Sequence, residues 1–211
     1  MPRNPPSIAI VASKQRVWTA TWSGGSTTAV GDNPVFDLSS STGDVNIIAY
    51  TPVSNILFYN IQQLRVINYI DASGDLNLTS AFRNVGLEEI YNLDVSNGTN
   101  FSVAWTSNSL TSFPLLDVSN GTNFNGSWYN NNLTSFPLLD VSNGTNFSFA
   151  WGYNSLTSFP LLDVSNGTNF SYAWRDNNLT SFPLLDVSNG TNFSFAWGSN
   201  NLTSFPLLDV S

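Results

Sequence analysis

The side chains in this sequence best placed to do chemistry are carboxylates, and they recur at a fixed interval. Asp94, Asp117, Asp140, Asp163, Asp186 and Asp209 lie 23 residues apart. In a stack of such units the carboxylates would stand about 4.8 Å apart and repel by roughly 1 kcal/mol per neighbour in water. No basic series answers them. Two arrangements relieve the repulsion. A cation could bridge the oxygens, as calcium does in oxygen-rich sites, or each carboxylate could cap the amides of the "DVSNG" turn it opens. "DVSNG" lacks the D-x-[DN]-x-[DN]-G spacing of a dedicated calcium loop. Capping is the preferred reading, and the series is only a weak candidate for metal.

Composition limits the other chemistries. With no His and no Cys, Ser-His-Asp, Cys-His, thiolate and imidazole–metal sites are all excluded. A glycosidase-type carboxylate pair outside the series would have to come from Asp32, Asp37, Asp44, Asp71, Asp75, Glu88 and Glu89, and their spacing singles out no two. No catalytic residue and no cofactor is expected; the chain reads as a non-enzyme. Sequons such as Asn97-Gly-Thr, Asn143-Gly-Thr and Asn169-Phe-Ser follow from a composition rich in Asn, Ser and Thr. The net charge of −8 carries no basic stripe, which argues against nucleic acid. The apolar run Ile8–Ala12 is too short for a signal peptide, and no segment reaches membrane-spanning length. The expectation is a chain made in a cytoplasm that needs no membrane.

Binding is the remaining chemistry, and three positions that vary between near-identical units point to it. One reads Val103, Gly126, Phe149, Tyr172, Phe195. The next two read Thr106, Tyr129, Gly152, Arg175, Gly198 and Ser107, Asn130, Tyr153, Asp176, Ser199. Tyr129, Phe149, Tyr153, Tyr172 and Arg175 are aromatic and Arg side chains of the kind that anchor interfaces. Neutral drift explains the variation equally well, and both readings stay open.

The elements that must position these residues follow from the repeat itself. Its opening Leu recurs at Leu87, Leu110, Leu133, Leu156, Leu179 and Leu202, and a degenerate copy begins near Leu64. Within one unit the apolar positions are Leu156, Phe159, Leu161, Val164, Phe170, Ala173 and Trp174. The opening L-x-x-F-x-L reads as a strand with Phe159 and Leu161 on one face. "DVSNG" reads as a turn whose Asn-Gly tolerates positive φ, and "TNFSYAW" as a short helical or 3₁₀ turn. Pro114, Pro137, Pro160, Pro183 and Pro206 each remove a strand donor, so the strand should lie on one side of the Pro. Stacking buries both faces of each coil and predicts a solenoid with internal Phe, Trp, Leu and Asn ladders about 4.8 Å apart. The chain stops at "LTSFPLLDVS", half a coil whose Leu202, Phe205 and Leu207 belong to the core pattern. Continuation beyond Ser211, a docked C-terminal end or a homo-oligomer would cover it.

The wording L-T-S-x-x-x-L-D-x-S…T-N-x-S-x-A-W-x-x-N-x-L resembles the BspA-like or treponemal leucine-rich repeats. Asn108, Asn131, Asn154, Asn177 and Asn200 stand where those repeats carry Cys. The resemblance covers residues 64–211, and "LTSFPLLDVSNGTNF" is most similar to repeat proteins of marine and cyanobacterial bacteriophages. It implies a leucine-rich-repeat-like solenoid in a phage virion structural protein, as capsid decoration or as a fibre or appendage. The implied partners are other virion proteins and a host surface receptor or glycan. A bacterial cell-surface adhesin is the alternative, and a phage depolymerase component a minor one.

Residues 1–63 read as a separate β-rich anchoring or capping module. "SIAIVAS" (7–13), "RVWTATW" (16–22), "PVFDL" (34–38) and "DVNIIAY" (44–50) are the expected strands, with "SGGSTT" (23–28) and "SSSTGD" as turns. Ile56, Leu57 and Phe58 are expected to pack it onto the first coil.

Overall fold

A computed structural model describes residues 17–22, 25–30, 46–49, 66–72, 74 and 76–210. The expected strands at 7–13 and 34–38, the proposed packing through Ile56, Leu57 and Phe58, and Asp32, Asp37, Asp44 and Asp75 lie outside them. Strands β1 (Val17–Trp22) and β2 (Gly25–Val30) pair antiparallel with Trp22 opposite Gly25. "SGGSTT" therefore does not act as a turn along its whole length: residues 25–28 belong to β2. Strand β3 (Asn46–Ala49) pairs antiparallel with β1 and parallel with β4 (Val66–Asp71). β4 in turn pairs parallel with β5 (Glu89–Ile90) and β6 (Leu93–Asp94). A single sheet thus runs from the N-terminal strands into the first repeat units.

Beyond β6 the units stack one per 23 residues without forming that sheet. The reason is visible by aligning two coils. Tyr91 of the β5–β6 coil donates its amide to the Ile67 carbonyl at 2.8 Å, and the equivalent residue in the next coil is Pro114. With no N–H to give, the Pro coils make no backbone hydrogen bond to a neighbour between their Ser and Val residues (Ser158–Val164 and equivalents). The L-x-x-F-x-L strand expected in every unit forms only in the two Pro-free coils, where Asn68 and Tyr91 stand at the Pro position. In the Pro coils the chain bends instead: Leu162 N donates to Pro160 O at 3.0 Å, and Leu116, Leu139, Leu185 and Leu208 do the same to their own Pro. This tight turn inverts the expected facing. Leu161 is 65% exposed, and Leu162 takes the inward place at 3%.

The inter-coil ladder runs on the other arm of the unit. Parallel bridges join Asn77, Asn100, Asn123, Asn146, Asn169 and Asn192 in sequence. From there every second amide reaches the next coil: Phe147 N to Asn169 O, Phe149 N to Ser171 O, Trp151 N to Ala173 O and Tyr153 N to Arg175 O, all 2.8–2.9 Å. The amides between them turn back within the coil, Ala150 N to Phe147 O and Gly152 N to Phe149 O. These i→i+3 bonds make single turns rather than a continuous version of the short helical or 3₁₀ turn that "TNFSYAW" suggested, and the described residues contain no helix. Single turns are interrupted by left-handed residues, at φ 58° for Phe149 and 56° for Tyr153.

Inside, identical side chains lie against one another. Trp105, Trp128, Trp151 and Trp174 are completely buried, and neighbouring indoles stack at 5.5–6.0 Å and 8–9°. The spacing exceeds the 4.8 Å expected of a strand ladder, within the roughly 4.5–7 Å that offset rings prefer. Each of these indoles also meets a Phe of the following unit edge to face, as Trp151 does Phe159 at 5.0 Å. The five indole N–H groups from Trp105 to Trp197 are buried without a hydrogen-bond partner.

"DVSNG" closes as a turn with Gly167 N on Val164 O at 2.8 Å, but Gly167 is not in the left-handed region. Its need is space: a Cβ there would lie 2.3 Å from Phe170 Cζ and 2.9 Å from Val164 O. In the last half-coil Phe205 is 48% and Leu207 97% exposed, while Leu208 packs on the core.

Because each coil touches only its neighbours, removing residues 133–155 should leave a folded protein. The deletion joins Asn132 to Leu156 and seats Trp128 against Trp174. Expected is a cooperative melt at modestly lower temperature; loss of cooperative melting would contradict nearest-neighbour stacking.

Candidate contact surface

The Asp series, the first candidate from the sequence, is occupied with the backbone. Asp94, Asp117, Asp140, Asp163 and Asp186 each accept through Oδ1 from the amide of the Ser two residues on, at 3.0–3.1 Å, and from its hydroxyl at 2.7 Å. The hydroxyl and amide of Ser188 hold the Asp186 carboxyl below its ordinary value. The Asn that follows ties the coils together: Asn166 Nδ2 donates to Ser142 O at 2.8 Å, and Asn120, Asn143 and Asn189 repeat the bond. Among the described residues no three acidic side chains converge as a metal site would require.

The variable residues do converge. The edge that carries them is where the ladder turns through left-handed residues, Phe149, Tyr153 and Tyr172 among them. Phe149 and Tyr172 stack at 4.6 Å and 4°, and Tyr172 and Phe195 meet at 5.2 Å. Tyr129 lies edge-on to Phe149 at 5.8 Å and against Tyr153 at 5.1 Å. The Arg175 guanidinium stands 5.2 Å from the Tyr172 centroid and 5.6 Å from that of Phe195, with Nε on Asp176 Oδ2 at 2.8 Å. All five residues named from the sequence therefore share one edge, and Phe195 and Asp176 join them. Phe195 was readable as the next residue of the variable column. Burial, and then the neighbouring Tyr153 and Asp176, raise the Tyr129 phenol above its ordinary value against the pull of Arg175. Gly152 makes room for the backbone of the next coil: a Cβ there would lie 3.0 Å from Tyr172 O.

The backbone under this edge is strained. Val103, Phe149, Tyr172 and Phe195 hold φ between 49° and 58°, a region that costs an L-residue about 1–2 kcal/mol and is a true outlier for β-branched Val. Gly126 occupies the same place at φ 58°, so the coil itself requires only glycine there. Val103→Gly is accordingly expected to stabilise the protein, by up to about 1 kcal/mol once the unfolded-state entropy of Gly is subtracted. Thermal melts check this, and a lowered midpoint would mean that Val103 packing outweighs the strain.

Two open grooves lie elsewhere, where the sheet gives way to the Pro coils. One of 430 Å³ is lined by Tyr91–Ser96 and Leu115–Asp117, and one of 260 Å³ by Glu89–Tyr91 and Thr111–Pro114. Glu89 accepts a hydrogen bond from the Tyr91 hydroxyl. Comparison with protein-family models, with curated proteins and with solved structures gives no significant match for the chain.

Proposed function

We propose that this chain is a non-enzymatic virion structural protein, a capsid decoration or fibre component. Residues 64–211 form its leucine-rich-repeat-like solenoid, which projects from a β-rich anchoring module at 1–63 that contacts other virion proteins. The virion assignment rests on the resemblance of the repeat wording. The binding role rests on one observation: strained left-handed positions that glycine would fill carry Phe and Tyr rings that stack into a column, with Arg175 against its Tyr172 and Phe195. Residues held in unfavourable backbone geometry are commonest at functional sites, and clustered Tyr and Arg are the usual anchors of an interface. The edge supplies aromatic surface, phenol hydroxyls and one charged pair, which suits a host surface receptor, a glycan or a neighbouring virion protein.

Peptide mass spectrometry of purified virions is expected to recover the chain at structural stoichiometry. Recovery from the envelope of uninfected bacteria instead would assign it to the cell-surface adhesins. Attachment of the purified chain to host cells should fall at least tenfold in Phe149→Ser/Tyr172→Ser while its melting cooperativity is kept. Unchanged attachment would remove the edge from the binding role.

A further inference from the structure

Leu115, Leu138, Leu161 and Leu184 stand in a column on the outside of the stack, one per coil, exposed by 75%, 65%, 65% and 65%. The Pro before each is half-buried beside it. Single exposed leucines are ordinary, but these are contiguous. Together they present on the order of 500 Å² of apolar surface, in the range of the largest patches on monomeric proteins. Nothing in the coil's own packing uses them, because Leu116, Leu139, Leu162 and Leu185 fill the adjoining core positions.

We propose that this face pairs two copies of the chain about a two-fold axis parallel to the stack. Across each coil the exposed residues run in a fixed order: Thr157 and Ser158, then Leu161, then Asp163. Over the stack these become a hydroxyl column, a leucine column and a carboxylate column. A two-fold parallel to the stack keeps coil level with coil and lays leucine on leucine. It sets each carboxylate column against the partner's hydroxyl column. Oδ1 of each Asp is already taken by its Ser, and Oδ2 is the acceptor such hydroxyls would meet. The alternative two-fold, perpendicular to the stack within the face, lays carboxylate on carboxylate with no base to answer it, and charge disfavours it. An isologous contact of this kind repeats at every coil, since only a second stack shares the spacing. With its flanking columns the face approaches the roughly 800 Å² per partner of a standard interface.

Sedimentation of the full chain over a micromolar concentration series is expected to show a reversible dimer of the 23.0 kDa protomer. Leu138→Ser/Leu161→Ser/Leu184→Ser should weaken that association at least tenfold and leave the near-ultraviolet signal of the buried indoles intact. The chain contains no Cys, so Leu138→Cys gives a clean second measurement. Mild oxidation should link position 138 to 138. A strictly monomeric chain, a dimer that survives the triple substitution, or an L138C dimer that does not cross-link to itself would overturn the proposal; the last is the signature of the antiparallel pair, which sets position 138 opposite the leucine of a different coil.

Discussion

Trp151→Ala is expected to lower stability by about 3–5 kcal/mol, the range for truncating a large buried aromatic whose site cannot collapse. Trp151 is completely buried between Trp128 and Trp174, at 5.7 and 5.5 Å, and also touches Phe136, Phe147 and Phe159. The coils on either side are held apart by ladder bonds, so neither can close over the void. Tyr153, two residues on, is 40% exposed, and Tyr153→Ala should cost less than about 1 kcal/mol. Chemical denaturation of both variants checks the contrast. Equal losses would place both side chains in comparable surroundings and contradict the inside–outside division.

A comparable loss is expected from a polar side chain. Asn154 is buried, and its Oδ1 accepts from Leu133 N at 3.1 Å. Its Nδ2 donates to the carbonyls of Trp128, Trp151 and Gly152 at 2.9, 3.1 and 3.2 Å. One side chain thus serves four backbone groups in two coils, and Asn131, Asn177 and Asn200 repeat the pattern. Asn154→Ala strands these groups away from water and should cost about 3–5 kcal/mol, given roughly 1–3 kcal/mol for each buried group left unpaired. Asn154→Asp should fare no better, since it sets a carboxylate against three carbonyl oxygens. Asn132→Ala, at an exposed position, should change stability by less than about 0.5 kcal/mol. A mild effect of Asn154→Ala in thermal melts would show that water replaces the amide.

Much of this architecture is legible in the residues alone. A 23-residue period with invariant Phe and Trp dictates stacked coils, because a single short unit cannot bury both its faces. The Asp of "DVSNG" reads as a turn cap because Ser follows at the spacing a carboxylate can reach. The membership of the aromatic edge is readable too, since positions that differ between otherwise identical coils do not hold the coil together. What only the tertiary structure decided is facing and strain. Leu161 and Leu162 are indistinguishable in apolar character, and the Pro160–Leu162 turn, which no period-two pattern anticipates, chooses between them. In the Pro coils the ladder is confined to the Asn arm, because hydrogen bonding between coils needs a donor at each level and Pro removes it from the other arm; the Pro-free coils pair on both arms. Gly167 looks like a residue chosen for its backbone freedom, yet the nearness of the Phe170 ring is what requires it. The left-handed geometry of Phe149 and Tyr172 has no signal in those residues themselves; only Gly126, in the same column, hints at it. It arises where alternate amides must reach the next coil, a constraint that exists only once the coils are stacked.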